Sequence, residues 1–413
     1  MSESRQSKIF YGYVVVLAAF LIMGLMWGTV YTFGIFLKPL LIEFGWTRAM
    51  TSGAFALSLL LYGLSGVVTG RLTDRFGSRV VVTVCGICFG LGYLLVSQVN
   101  TIWQLYLFYG VMVGIGLSGS FVPLVSTVAG WFVKRRGMMT GIATSGIGIG
   151  LMIIPLIANW LIASYSWRNS FIIVGVTVLV LVTLAAQLLR SDPGHAGQLS
   201  YFGSASTGQS YSNAPRFSLQ ESLRTWQFWM LGGALLCYGA STEVIMVHIV
   251  PHATDLEIPP ASAAVILTII GGISTGSRII MGGVADKIGN KLAFSTSFVL
   301  MAVPLFWLLF SGKLWIFYFF AVIFGFGYGG ISALLSPIVV EQFGLSSHGV
   351  ILGALMIGCT VGEAIGPVLA GHIFDIMSDY SLAFLIHGIA CVIGFVLISL
   401  LKPARKEART SES

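Results

Sequence analysis

Five ionisable side chains stand inside long apolar stretches of this sequence, and they carry its chemistry. Arg278 falls in the eighth such stretch, Glu243 and His248 in the seventh, Glu363 in the eleventh and His387 in the twelfth. A charge at the centre of a bilayer costs about 2.5–3.5 kcal/mol on insertion scales, so a residue of this kind is a functional candidate by default. Arg278 is the one cation in the interior of any stretch. Its guanidinium offers a planar fork of donors that matches a carboxylate. Snorkelling towards the nearby chain turn is the alternative, because Gly282 follows four residues later. Glu243, Glu363 and His248 are candidates to carry a proton, since burial penalises the charged form of each. For Glu363 the alternative is a hydrogen bond in a glycine-rich helix seam, and for His248 a place at the outer boundary near His252.

No nucleophile–base arrangement accompanies these residues. The sequence has no Gly-x-x-x-x-Gly-Lys-Ser/Thr loop, which excludes direct drive by ATP, and no His/Cys/carboxylate group with metal-ligand spacing. It reads as a protein that is not an enzyme and needs no cofactor.

The elements that must hold these groups are membrane helices. Of 413 residues, 56% are hydrophobic and 9% charged, and the mean hydropathy is +0.92. Soluble domains carry about 25% charged residues. Twelve apolar runs are each long enough to cross a bilayer: 10–37, 49–70, 80–98, 103–130, 138–163, 169–190, 225–250, 260–282, 292–311, 314–338, 348–371 and 381–401. A barrel would show short alternating segments instead. The expected fold is an all-α membrane protein of twelve transmembrane helices in two pseudo-symmetric six-helix bundles. The divisions are 1–190, a linker at 191–224 rich in Ser, Gly, Tyr and Asn, and 225–413.

The net charge of +7 is a topology signal. With the N-terminus inside, 17 of the 22 Lys and Arg fall on inner segments, against Lys38, Arg48, Arg168 and Lys313 outside. That bias predicts a multi-pass protein of the cell (inner) membrane with both termini cytoplasmic. The five cysteines all lie in predicted helices, so no disulfide framework is expected. The first apolar run is too long for a cleaved signal and lacks a small-residue cleavage site.

A charged segment occurs twice, 212 residues apart: Gly70-Arg71-Leu72-Thr73-Asp74-Arg75-Phe76-Gly77-Ser78-Arg79 and Gly282-Gly283-Val284-Ala285-Asp286-Lys287-Ile288-Gly289-Asn290-Lys291. The same offset pairs Gly141 with Gly353, Gly146 with Gly358, Gly150 with Gly362 and Pro155 with Pro367. Two parallel repeats imply a machine in which one half moves against the other. Each copy reads as a short turn between two helices. Asp74, Arg75 and Asp286 are gating candidates, able to latch the inner face; turn formation and topology alone are the other reading. The repeat also shows where the halves differ: Gly66 aligns with Arg278 and Leu151 with Glu363.

The repeated Gly-x-x-x-Asp-Arg/Lys-x-Gly-x-Arg/Lys segment resembles the signature of the major facilitator superfamily. The stretch Trp131-Phe132-Val133-Lys134-Arg135-Arg136-Gly137, running into Gly141-Ile142-Ala143-Thr144-Ser145-Gly146 and Gly150, resembles a motif of the monocarboxylate transporter family, with Trp131 replacing the usual Tyr. Bacterial oxalate/formate antiporters share much of it.

The resemblance implies a secondary carrier of small monocarboxylates of the L-lactate/pyruvate class, working as a proton symporter by alternating access. It implies that Arg278 binds substrate, since both families place an essential Arg in this helix. Helices one, four, seven and ten line the cavity in this superfamily. That makes Tyr328, Tyr31, Tyr238, Ser241 and Thr242 wall candidates, places Lys38 as an outer-mouth residue that captures the anion, and puts His387 in a peripheral, structural helix. Two departures sharpen the substrate. The eleventh helix lacks the Lys of the oxalate/formate type, so one cation suits one carboxylate. The position one turn before Arg278, an Asp assigned the coupled proton in vertebrate-type relatives, is Ser274, which becomes a further substrate-binding candidate. The expected partners are a small monocarboxylate anion, a proton and the lipid bilayer, with no nucleic acid and no obligatory protein partner. An anion exchanger of the oxalate/formate kind and a non-transporting metabolite sensor are the alternatives.

Overall fold

The computed structural model describes residues 10–132, 136–190, 217–310, 312–344 and 348–402. All the regular structure among them is helical. Twelve helical spans are long and apolar enough to cross a bilayer. They are α1 Tyr11–Phe44, α2 Arg48–Thr73, α3 Ser78–Val96, α4 Ile102–Val128, α5 Met138–Ser164, α6 Trp167–Gln187, α7 Trp226–Asp255, α8 Pro260–Ala285, α9 Asn290–Phe310, α10 Leu314–Phe343, α11 Val350–Met377 and α12 Ser381–Leu400. Within each half the same partners pack: α1 on α5 and α3 on α6, then α7 on α11 and α9 on α12. Successive spans reverse direction. One side therefore collects both ends of the chain, here the terminal side; the opposite side is the far side.

Several helices outrun the apolar runs that predicted them. α7 continues to Asp255 and α10 to Phe343 because polar residues extend a helix once its backbone bonds are made. The repeated charged segment differs from its expected form in the same way. Residues 70–76 continue the α2 helix to Phe76, and residues 282–288 continue α8 to Ile288. The reversal is confined to Gly77 (φ 81°) and Gly289 (φ 88°), whose N–H groups close onto Thr73 and Ala285 carbonyls at 2.9 and 2.8 Å. At ψ 154° and 149° these two positions lie where only glycine rests without strain. Asp74 and Asp286 occupy the final helical turns, and their side chains lie outside the described residues.

The 212-residue repeat extends from sequence into contact. A Cβ on Gly146 would strike the Phe20 carbonyl, and one on Gly150 the Gly24 carbonyl. In the second half, Gly358 and Gly362 stand in the same relation to the carbonyls of Gly232 and Leu236. Each partner is displaced by 212, so the α1–α5 crossing is rebuilt as the α7–α11 crossing. Gly150→Ala should push these helices apart and cost about 1–3 kcal/mol by overpacking. Gly141→Ala, where nothing lies within 4 Å of the new methyl, should leave stability unchanged or slightly raised. Thermal unfolding of the detergent-purified protein separates the two, and equal melting temperatures would contradict the close crossing.

Two spans of the first half are irregular. α1 breaks at the Tyr31–Thr32 turn, and α4 winds as a π-helix over Tyr106–Val113 before a 3₁₀ turn at Ser118–Ser120. Non-helical backbone at membrane depth must be satisfied by protein. Here the Tyr93 hydroxyl donates to the Thr29 carbonyl at 2.9 Å and the Tyr109 hydroxyl to the Val30 carbonyl at 3.3 Å. Trp131 and Phe132, from the aromatic pair of the sequence motif, pack on Phe10 at the terminal side, and the Trp131 indole donates to the Arg190 carbonyl. Val133, Lys134 and Arg135 of that motif, and linker residues 191–216, lie outside the described residues. Residues 217–224 include a short helix capped by Ser218, and the Phe217 N–H donates to the Phe343 carbonyl at 3.2 Å.

Candidate functional site

The break in α1 presents Tyr31 to the middle of the molecule. Its hydroxyl meets the Tyr328 hydroxyl of α10 at 3.5 Å, joining the two halves. Tyr328 in turn stacks on Tyr238 of α7 with ring centroids 6.3 Å apart, and Tyr238 shares a 2.9 Å hydrogen bond with Ser332. Trp27, one turn before Tyr31, packs edge-on to Tyr62 of α2 at 5.1 Å. Glycines on neighbouring helices make this convergence close: Gly325 and Gly329 of α10 bring that helix onto the backbone of α8 at Ile270 and Ser274.

Arg278 enters the aromatic group from α8. Its guanidinium carbon stands 6.0 Å from the Tyr328 ring centre. One terminal nitrogen donates to the Thr144 carbonyl of α5 at 3.1 Å, which fixes the side chain across the boundary between halves. Its Nε is buried without a partner among the described residues. So are the Trp27 indole N–H and Glu243 Oε2. Buried donors and acceptors are ordinarily satisfied. Orphan donors on Arg278 and Trp27, in a setting of tyrosine hydroxyls, suit a small ligand bearing oxygen acceptors. Glu243 is 2% exposed and lies beside Tyr31. Glu363 accepts from the Cys359 thiol at 3.3 Å.

The structure thus gathers Arg278, Tyr328, Tyr31, Tyr238, Glu243 and Glu363 into one central group. It places the other sequence candidates elsewhere. Ser274 donates to the Gly271 carbonyl of its own helix at 2.9 Å and is fully buried against α10. His248 has partners on both ring nitrogens, the Tyr380 hydroxyl at 2.9 Å and the Pro367 carbonyl at 2.8 Å. Ser241 donates to the His387 carbonyl at 3.1 Å, and the Thr242 hydroxyl is buried with no partner among the described residues. Arg75 is exposed, with its guanidinium 5.2 Å from the Phe76 ring.

Lys38 and His248 belong to a second constellation on the far side, which the sequence reading did not assemble. Arg48 opens α2 in the first half. Its guanidinium pairs with Asp255 at 2.7 Å, donates to the Tyr380 hydroxyl, and lies over the Phe374 ring at 3.6 Å. Those three partners all belong to the second half. The Asp375 carboxylate accepts from the Arg48 and Ala49 N–H groups at 2.8 and 2.9 Å, capping α2 from across the interface. Lys38 adds a 2.8 Å pair to Asp255. The sequence signal was an Arg directly after the N-cap Thr47 with Asp residues at the matching ends of α7 and α11; the charge bias counts Arg48 only among the outer cations.

The halves also touch at mid-depth. A Cβ on Gly63 of α2 would meet the Thr360 side chain of α11, and one on Gly148 of α5 the Thr275 side chain of α8. Two turns towards the terminal side, Gly141 and Gly282 on α5 and α8 have nothing within 4 Å of a Cβ position. Among the described residues the two halves touch on the far side and at mid-depth, and make no such contact at Gly141 and Gly282.

The profile of the Major Facilitator Superfamily matches residues 16–291 and 230–413. Monocarboxylate transporter 4 of Rattus norvegicus is 29% identical over 389 residues, covering 92% of this chain and 80% of that one. Monocarboxylate transporter 13 of Bos taurus is 25% identical over 405 residues, covering 94% and 89%. The uncharacterized MFS-type transporter YhjX of Escherichia coli (strain K12) is 26% identical over 342 residues, covering 81% and 82%. Among solved structures, a bacterial homolog of the human lysosomal transporter Spinster, inward-facing and unoccupied, superposes with a TM-score of 0.77 at 15% identity, covering 98% of this chain and all of that one. With twelve spans, a duplicated signature and relatives along nearly its whole length, the chain belongs to the Major Facilitator Superfamily, as a multi-pass membrane transporter related to the monocarboxylate transporters.

Proposed function

We propose that this protein is a proton-coupled carrier of small monocarboxylates, of the L-lactate and pyruvate size, with Arg278 as the anion's anchor. The observation that carries the reading is the Arg278 environment: a guanidinium on the boundary between halves, aimed by the Thr144 carbonyl, with a buried Nε that no group among the described residues satisfies. A carboxylate supplies the missing acceptors in the geometry a guanidinium prefers. Tyr31 and Tyr328 place further donors on the same spot, and each comes from a different half. A ligand there touches both moving bodies, which is what alternating access requires of its binding site. The names of the relatives support a monocarboxylate as the cargo.

With both termini cytoplasmic, as the cation bias favours, the far side is the outer face. The arrangement described above is then inward-open. Closure on the cytoplasmic side would break the Arg48 contacts and bring α5 and α8 together near Gly141 and Gly282.

The test is uptake of labelled L-lactate, pyruvate and acetate into proteoliposomes holding the purified protein. An inward-directed proton gradient should drive accumulation several-fold above equilibrium. Rapid counterflow with no response to the gradient would replace symport with exchange. No movement of any monocarboxylate would end the reading.

A further inference from the structure

Glu243 and Glu363 come from different helices and meet at the same place. α7 and α11 form a tight crossing in which Gly362 and Gly366 press on the Leu236 and Ala240 carbonyls. Glu363 lies between those glycines, so its side chain is turned onto α7. Its Cγ lies against Gly239, where an added Cβ would stand 3.1 Å from it. Gly239 is one turn before Glu243, on the same face of α7. The two carboxyls thus lie along one strip of α7 and feel each other's charge.

The surroundings of this pair are uncharged. Around them stand Tyr31 of α1, Tyr62 of α2, Tyr109 of α4, Tyr238 of α7, Tyr328 of α10 and the Cys359 thiol of α11. Arg278 of α8 is set beyond the Tyr328 ring. Among the described residues no Lys, Arg or His nitrogen lies within 4.0 Å of either carboxyl. Glu243 is buried and Glu363 half-buried, and two close carboxylates without a contacting cation disfavour the doubly ionised state.

Charge counting then gives the pair a role that rests on the proposed function. With one proton on the pair, its single negative charge balances Arg278. An arriving anion adds one negative charge, and a second proton on the pair restores neutrality. The anion alone, or the second proton alone, leaves an unbalanced charge between the halves, which disfavours the closed intermediate. We propose that Glu243 and Glu363 act as one proton-binding unit, holding one proton between them in the empty carrier and two when an anion sits at Arg278. Coupling of one proton to one anion follows from that alternation. It assigns the coupled proton to a pair rather than to a single residue.

The proposal makes the two carboxyls interchangeable for coupling and jointly necessary. In Glu243→Gln or Glu363→Gln, the remaining carboxyl still alternates between charged and neutral, so gradient-driven L-lactate accumulation should stay within about threefold of wild type. In the double variant nothing alternates. Accumulation driven by the proton gradient should fall by at least about tenfold while L-lactate counterflow persists. Loss of coupling in one single variant alone, or full coupling in the double variant, would overturn it.

An infrared measurement on the purified, substrate-free protein needs neither transport nor a known cargo. The wild type should show the carbonyl band of one buried carboxylic acid, and each single Gln variant should lose it, because the remaining carboxyl then ionises against Arg278. Absence of the band in wild type, or its survival in either variant, would sink the shared proton. A wild type that shows the band but moves no monocarboxylate would overturn the proposed cargo and leave the pair standing.

Discussion

Arg278→Ala should abolish uptake of monocarboxylates while the protein still inserts and purifies as a single species. The Arg278 guanidinium sits at the boundary between halves with one nitrogen held by the Thr144 carbonyl and Nε unsatisfied. A bound carboxylate is then one member of a buried, hydrogen-bonded ion pair. Removing a partner from such a pair costs about 3–5 kcal/mol, or roughly a hundred- to several-thousandfold in affinity. Arg278→Lys should recover little of this. Lysine keeps the charge but offers a single ammonium on a flexible stem, which cannot reach the Thr144 carbonyl and present a flat fork to the ligand together. Initial rates in proteoliposomes, with direct binding measured calorimetrically in detergent, report both effects. Normal lactate uptake by Arg278→Ala would move the anion site elsewhere.

Arg48→Ala should shift the resting conformation towards opening on the far side. Arg48 is 7% exposed and joins the start of α2 to Asp255, Tyr380 and Phe374 of the other half. Without it, Asp255 keeps Lys38 and Tyr380 keeps His248, and α2 is held by the Asp375 cap on its first N–H groups and by the Ser52–His248 contact. Hydrogen bonds to charged groups are worth about 1.5–3 kcal/mol, so losing these part-buried contacts should change a two-state equilibrium by at least about tenfold. Spin labels introduced at Ile42 on α1 and at Leu256, just past the end of α7, both exposed far-side positions, read the separation of the halves in a cysteine-free background. An unchanged distance distribution in Arg48→Ala would remove Arg48 as a latch. Asp375→Asn should act in the same direction and more weakly, since its contacts are helix-cap hydrogen bonds worth about 1 kcal/mol each.

The twelve spans were legible because lipid leaves one solution to backbone hydrogen bonding, and a helix satisfies it along one continuous run. The central residues were legible for a related reason. A charge such as Arg278 or Glu363 within apolar sequence has few structural excuses. What escaped was whatever depends on two distant segments meeting. Asp255 and Asp375 read as helix ends, and only the fold shows that both converge on Arg48. His248 reads from sequence either as a proton carrier or as a residue at the outer boundary near His252, and its ring nitrogens are engaged on the far side by Tyr380 and Pro367. Ser274 aligned with a functional position of relatives but points its hydroxyl into its own helix. The turn in the duplicated segment was placed too early, because Gly70 and Gly282 punctuate the sequence without ending a helix. The reversals belong to Gly77 and Gly289, where positive φ is required.

The contacts at Gly63 and Gly148 have a further consequence. The residues of each pair exchange places under the offset of 212: Gly63 and Thr275 are counterparts, as are Gly148 and Thr360. Gly63 meets Thr360, and Gly148 meets Thr275. This is the reciprocal pattern of an isologous dimer, in which patch A of one body meets patch B of the other and the reverse. The first half supplies the hollow at both contacts and the second half the knob. Two first halves would face each other with glycine on glycine and leave gaps. Two second halves would set threonine against threonine and be held apart. The seam therefore carries a rule of partner choice, written in four small side chains, that fits only unlike halves together.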